Sequence, residues 1–218
     1  MNVPMYGTKQ AAYCFFKTFA KQVKNKKYQQ SKADPCLYYV WIGTELVVMV
    51  AWVDDVMILG TPELVDKVQR DLESVFTCKH KGELSENVGS KIMIQHDEDG
   101  MGTVKFTQPV LIQKLEDEYE LTGGSASRLP AMAGQVLIKG DGTGIVDREW
   151  VKRYRSATAT CMFIMQWSRP DVYNAVRSLA RHMNAPQEAH LQALTTLMKY
   201  MVSTRNWGLV LAPKALWD

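Results

Sequence analysis

The 218 residues are poor in cysteine, histidine and long apolar runs. Four cysteines, Cys14, Cys36, Cys78 and Cys161, are widely separated and have no paired metal-ligand spacing. This argues against a zinc ribbon or a disulfide framework and leaves reduced, mostly structural thiols. No apolar stretch approaches the roughly 20 residues that cross a bilayer, and the start lacks a basic region followed by a signal-peptide core. The expectation is a soluble intracellular chain with no membrane partner. Asp97-Glu98-Asp99-Gly100 lacks the continuing ligand series of a calcium loop and reads as a solvated turn. No internal repeat or low-complexity tract stands out. Acid is also missing from the beginning: Met1 to Lys32 contains seven lysines and no Asp or Glu.

What is present is a chain of 46% hydrophobic residues, enough to bury a substantial core in one or two domains. The net charge of +3 conceals a pattern, because residues 33–147 hold 9 basic and 19 acidic residues while residues 148–218 hold 10 and 4. Two basic ends flank an acidic middle, an arrangement suited to phosphate-binding surfaces around a metal-binding centre, although solvated lysine faces produce the same count.

Hydrophobic periodicity predicts an amphipathic helix over Lys9 to Tyr28, with Phe15, Phe16, Phe19 and Val23 seated on a sheet. Cys36–Ile42 and Leu46–Val53, separated by Gly43-Thr44, read as a hairpin of two largely buried strands, and Val56–Leu59 adds a third antiparallel strand. Pro62 opens a helix reaching Phe76, in which Asp66 and Arg70 have the spacing of a solvent-side ion pair. Ile92–Ile94 and Thr103–Thr107 form a second hairpin, and a helix over Gln108–Tyr119 follows. Thr122–Asp147, rich in Gly, Ser and Pro, reads as a connector or poorly ordered extension. Helices are then expected over Trp150–Trp167, Val172–Met183 and Glu188–Val202, with a short strand at Trp207–Leu211. The fold class is α/β (α+β), divided as 1–121, a connector at 122–148 and a helical region at 149–218.

Asp54-Asp55 is the sharpest chemical feature. Two adjacent acids lie between apolar runs, where burial is costly unless cations or donors neutralise them. Hard carboxylate oxygens suit magnesium or manganese. An ordinary hairpin turn explains the same pair, since Asp hydrogen-bonds nearby backbone groups.

Ordered blocks extend beyond that pair. Pro4-Met5-Tyr6-Gly7-Thr8-Lys9-Gln10-Ala11, Trp52-Val53-Asp54-Asp55, Gly82-Glu83-Leu84 and Val88-Gly89-Ser90-Lys91-Ile92 are followed by Tyr154-Arg155-Ser156 and Arg169-Pro170-Asp171. His190, Lys199-Tyr200 and Gly208-Leu209 complete the series. In this order, across nearly the whole chain, the blocks resemble the copia-type retrotransposon reverse transcriptase family, with Trp52 in place of the usual Tyr or Phe.

The resemblance implies a partial reverse-transcriptase palm with antiparallel strands, followed by a helical thumb/connection-like region. It implies Asp54 and Asp55 as catalytic carboxylates and ligands of Mg2+ or Mn2+, supporting the attacking and leaving oxygens of nucleotidyl transfer. Its partners would be an RNA or DNA template with primer and deoxynucleoside triphosphates, and its setting a cytoplasmic particle or the nucleus. Lys9 and Gln10 are candidates for nucleotide or template contact, and Lys17, Lys21 and Lys24, with Lys26 and Lys27, for phosphates. Trp52 is a candidate for nucleic-acid contact at the primer terminus or for buttressing the turn, packing being favoured over base stacking because aromatic residues contribute large buried area. Tyr154, Arg155, Arg169 and His190 are expected to organise the later helices. The family's third carboxylate and fingers precede the block at Pro4, so an upstream palm and fingers segment is an implied partner and these residues alone are expected to be inactive. The alternatives are a noncatalytic nucleic-acid-binding domain and a nonfunctional transposon remnant.

Overall fold

The structure is a computed structural model that describes residues 9–53, 55–87, 89–96, 102–121, 126–140 and 147–212. Pro4 to Thr8 of the first block, Asp54, Val88, the turn acids at 97–100, and residues 122–125 and 141–146 of the connector lie outside the described residues. The chain divides into two compact units, residues 1–83 and 84–218.

The first unit runs α1 (Lys9–Asn25), β1 (Gln29–Gln30), β2 (Leu37–Ile42), β3 (Glu45–Trp52), β4 (Asp55–Leu59) and α2 (Pro62–Glu73). Its sheet is antiparallel in the order β1-β2-β3-β4, and the short β1 has no counterpart in the sequence-based expectation. The β2–β3 hairpin pairs Ile42 with Glu45, so Gly43-Thr44 is a two-residue loop, and Gly43 takes the φ of 63° that such tight turns demand of their first central residue.

The strand register decides which side chains share a face. Tyr38 pairs with Met49, Val40 with Val47, Met49 with Ile58 and Ala51 with Val56. That face meets Phe19 and Val23 of α1 and Leu64, Val68 and Leu72 of α2 in one apolar cluster. Phe19 lies edge-on to Tyr38 at 5.6 Å and stacks on Phe76 at 5.7 Å, so the helix is fixed to the sheet by aromatic area with defined geometry. The expectation that β2 and β3 are largely buried holds for one face: on the opposite face Trp41, Leu46 and Trp52 are exposed, as is Leu59 of β4. The expected Asp66–Arg70 pair is also replaced. Lys67 binds Asp71 at 3.1 Å, and Asp71 additionally accepts the Tyr28 hydroxyl at 2.9 Å and lies 3.7 Å from Lys26.

The second unit begins with β5 (Glu86–Asn87), β6 (Ser90–His96), β7 (Gly102–Thr107) and α3 (Pro109–Glu118). α4 (Arg148–Trp167), a 3-10 turn at Pro170–Val172, α5 (Tyr173–Ala180), α6 (Glu188–Ser203) and β8 (Leu209–Leu211) follow. β8 returns to pair with β7, giving the antiparallel order β5-β6-β7-β8. Ile112 and Leu115 of α3, Ile164 of α4, Leu179 of α5 and Leu197 and Met201 of α6 share the main core. α/β content with antiparallel sheets agrees with the expected fold class.

The connector does more than link. Ser203, at the end of α6, donates its hydroxyl to the Ser127 carbonyl at 3.2 Å, and His190, near the start of α6, reaches the Ile138 carbonyl at 3.0 Å. Residues 127–138 therefore form a strap pinned near both ends of α6 and running against its direction, with Leu137 packed on the core. Because the His190 Nδ1 accepts the Gln187 backbone N–H at 2.8 Å, its Nε2 carries the proton donated to Ile138. The neighbouring His182 ring stacks on it at 4.0 Å.

Candidate active site

The β3–β4 hairpin carries the candidate centre. Trp52 pairs with Asp55, leaving two residues between them, and the first, Val53, has φ 52°. Primed two-residue turns require this left-handed backbone, but a β-branched residue tolerates it poorly, so the hairpin tip is a strained position. Asp54, the other half of the carboxylate pair, lies outside the described residues.

Asp55 is exposed, so its carboxylate escapes the desolvation cost that burial between the flanking apolar runs would impose. The cation beside it is Lys81, whose Nζ lies 2.8 Å from Asp55 Oδ1. Sequence reasoning missed Lys81, although it immediately precedes the Gly82-Glu83-Leu84 block and is basic within an acidic stretch. Trp52, across the ladder from Asp55, is 70% exposed, so its expected packing role is not met and its ring is available at the surface. Among the described residues no group of three or more His, Cys, Asp or Glu side chains could hold a metal ion. One described carboxylate paired with an ammonium does not make a divalent-cation site, so the described side chains alone do not fit the metal.

The candidate nucleic-acid contacts lie on α1. With 3.6 residues per turn, Gln10, Tyr13, Lys17, Lys21 and Lys24 fall on one stripe, opposite Phe19 and Val23. The row is exposed while the apolar pair is buried. The Lys17 ammonium sits 4.5 Å from the Tyr13 ring centroid, and Lys26 is engaged by Asp71. Lys9 opens the helix, and its side chain lies outside the described residues.

The four residues expected to organise the later helices make contacts of that kind. The buried Tyr154 donates its hydroxyl to the Leu179 carbonyl at 2.8 Å, and burial pushes its phenol pKa up. Arg155 donates to the Met183 carbonyl at 2.7 Å. Arg169 is 1% exposed, yet its guanidinium donates four hydrogen bonds: two of 2.8 Å go to the Asp171 carboxylate, and others reach the Thr204 carbonyl at 3.1 Å and hydroxyl at 2.8 Å. The Tyr200 and Trp207 rings lie 5.3 and 6.0 Å from it, and the Tyr200 hydroxyl donates to Asp171 at 3.1 Å. Burial raises the Asp171 pKa, but the Arg169 hydrogen bonds and charge outweigh it and hold the carboxyl below its usual range. All four cysteines are free; Cys161 is buried, which pushes its thiol up to about 12, whereas Cys78 is exposed. No described helix is long and apolar enough to cross a membrane.

The sequence profile of the family described as reverse transcriptase (RNA-dependent DNA polymerase) matches residues 1–133. Over 210 residues the chain is 24% identical to a retrovirus-related Pol polyprotein from transposon TNT 1-94 of Nicotiana tabacum, covering 94% of this chain and 16% of that protein. It is 26% identical over 208 residues to the Pol polyprotein from transposon RE1 of Arabidopsis thaliana, covering 95% of this chain and 14% of the relative. A transposon Ty5-1 protein of Saccharomyces cerevisiae is 21% identical over 203 residues, covering 93% of this chain and 64% of its own length. The chain thus spans a small part of the two plant polyproteins. No solved structure gives a significant match. Reverse transcriptases in general use divalent metals and act on a primed nucleic-acid template with nucleotides. The copia-type resemblance carried by the ordered blocks is borne out, and the chain belongs to the reverse transcriptase (RNA-dependent DNA polymerase) family.

Proposed function

We propose that the chain is the palm-derived part of a retrotransposon RNA-directed DNA polymerase, with residues 1–121 as palm, 122–148 as connector and 149–218 as a thumb/connection-like region. By this division the palm draws on both compact units. Asp54 and Asp55 are its catalytic carboxylates, and magnesium or manganese is the metal of the assembled enzyme. The reaction is template-directed transfer of deoxynucleotides to a primer hydroxyl with release of pyrophosphate.

The observation that carries this reading is the tight β3–β4 hairpin closed by Trp52 and Asp55, within a chain whose residues 1–133 match the family. The exposed Lys17, Lys21 and Lys24 row supports phosphate contact, which positions a duplex without reading its bases. Gln10 extends that row, Lys9 opens the same helix and is assigned to nucleotide or template contact, and the exposed Trp52 ring is available for the primer terminus. A second reading, a noncatalytic nucleic-acid-binding domain, is favoured by the Lys81 ammonium at the Asp55 carboxylate.

The test is extension of a labelled primer on an RNA template with four deoxynucleotides and Mg2+ or Mn2+. The chain alone is expected to give no robust extension, and addition of a separately expressed upstream palm and fingers segment is expected to produce it. That extension should disappear with Asp54→Asn or Asp55→Asn. Robust extension by the chain alone, abolished by either substitution, contradicts the expected inactivity; extension indifferent to both substitutions removes the site assignment.

A further inference from the structure

His182 and His190 are both buried, 6% and 1% exposed, and the proposed nucleotidyl transfer uses neither. Their rings stack at 4.0 Å, 14° from parallel. Together they hold consecutive residues of the strap: His182 donates to the Leu137 carbonyl, and His190 Nε2 donates to the Ile138 carbonyl at 3.0 Å. The other nitrogen of His190 is committed as well. Its Nδ1 accepts the Gln187 N–H at 2.8 Å and so closes the capping box that starts α6. The same grip seats Leu137 on the core of the second unit.

This arrangement works only with neutral rings. A proton added at His190 Nδ1 replaces an acceptor by a donor facing the Gln187 N–H, and α6 loses a cap bond. A proton on His182 puts a charge into a buried stack: burial opposes it first, then His190 and Arg181, while the bond to Leu137 favours it. The other charges around the pair are Arg155 of α4, bound to the Met183 carbonyl and Asn184, Glu188 in the first turn of α6, and Lys139 next to Ile138 on the strap. Among the described residues the histidine paired with a carboxylate is His80, with Glu73, so neither stacked ring has an acid bound to offset a gained charge. Relief comes from separating and hydrating the rings. The strap lies outside every helix and strand, so it is the neighbour that gives way most readily. We infer that the stacked His182–His190 pair is an acid-opened latch: neutral, it clasps the Leu137–Ile138 end of the strap to α6, and protonated, it lets that end go while the helical core stays folded.

The experiment follows the full 218-residue chain by NMR from about pH 8 to about pH 4.5, a range that spans the ordinary histidine value. The Leu137 methyl signals report the seating of the strap, the Leu197 methyl signals the helical core, and the imidazole C–H signals of His182 and His190 their protonation. Leu137 should leave its core position below about pH 6.5, the ratio of seated to released strap falling by up to about ten-fold per pH unit for each proton taken up. The imidazole signals should move in step, with Leu197 unchanged. His182→Gln/His190→Gln keeps an amide donor on each side chain but does not titrate, and should hold Leu137 in one state across the range. Leu137 signals constant with pH in the unaltered chain overturn the latch, as does a transition that leaves both imidazoles neutral, one that takes Leu197 with it, or one that survives in the double variant. Should the double variant not fold, the imidazole and Leu137 signals of the unaltered chain still separate these outcomes.

Discussion

Replacing Arg169 with Met tests whether the buried guanidinium is a structural lock of the second unit. Met roughly keeps the length of the side chain but removes the charge and every donor. The loss comprises the paired bonds to Asp171, two bonds to Thr204 and the cation–π interactions with Tyr200 and Trp207. Breaking one partner of a buried pair costs about 3–5 kcal/mol, chiefly through the charge left behind. Here the Asp171 side chain is 37% exposed and retains the Tyr200 hydroxyl, which favours the lower end, about 3 kcal/mol. At roughly 3–5 °C per kcal/mol for a domain of this size, the unit's Tm should fall by about 10 °C. Differential scanning calorimetry is the suitable assay because separate units can melt in separate transitions. Asp171→Asn should also destabilise, and the double variant should lose less than the sum of the single losses. A fall below about 3 °C for Arg169→Met, or strict additivity of the two substitutions, would refute the lock.

Three further outcomes are expected. Changing Lys17, Lys21 and Lys24 to Gln should weaken duplex binding at low salt and flatten the dependence of log K on log salt by about 0.9 for each phosphate no longer neutralised, as read by fluorescence anisotropy; binding insensitive to salt contradicts the phosphate role. Burial, the neighbouring His190 and Arg181 lower the His182 pKa, so the folded state disfavours its protonation. Its stabilising contribution should therefore be complete above the unfolded value of about 6.5 and be lost as pH falls from there through the lowered folded value; His182→Phe should flatten that acid limb in urea melts. Protection of Cys161 and exposure of Cys78 predict alkylation of Cys78 first under native conditions, resolved by mass spectrometry; equal labelling contradicts the packing around α4.

Local chemistry made much of the fold legible. The β-branched and aromatic runs became β2 and β3, Gly43 marked their turn, and the Pro62 and Pro109 helices began where proline tolerates a missing N–H donor. Errors arose where distant residues decide. Asp66–Arg70 and Lys67–Asp71 have the same helical spacing, but Tyr28 and Lys26 approach only the latter. Trp52 reads as core by size, yet the register puts it across from Asp55 on the sheet face not covered by α1 and α2. The carboxylate pair itself was visible in sequence, whereas Lys81, 26 positions beyond Asp55, becomes its neighbour only after the chain has passed through α2.

The strap along α6 has a consequence for cutting the chain. Arg128 is exposed and lies between the two pinned points, Ser127 and Ile138. Trypsin acting after Arg128 would leave Ser127 with one polypeptide and Ile138 with the other. Both remain in reach of the same helix, and α3, on the first piece, still shares a core with α6 on the second. The second unit can thus be nicked without losing the packing that joins its halves, which makes the strap a natural place to divide the protein into two separately expressed, reassembling pieces.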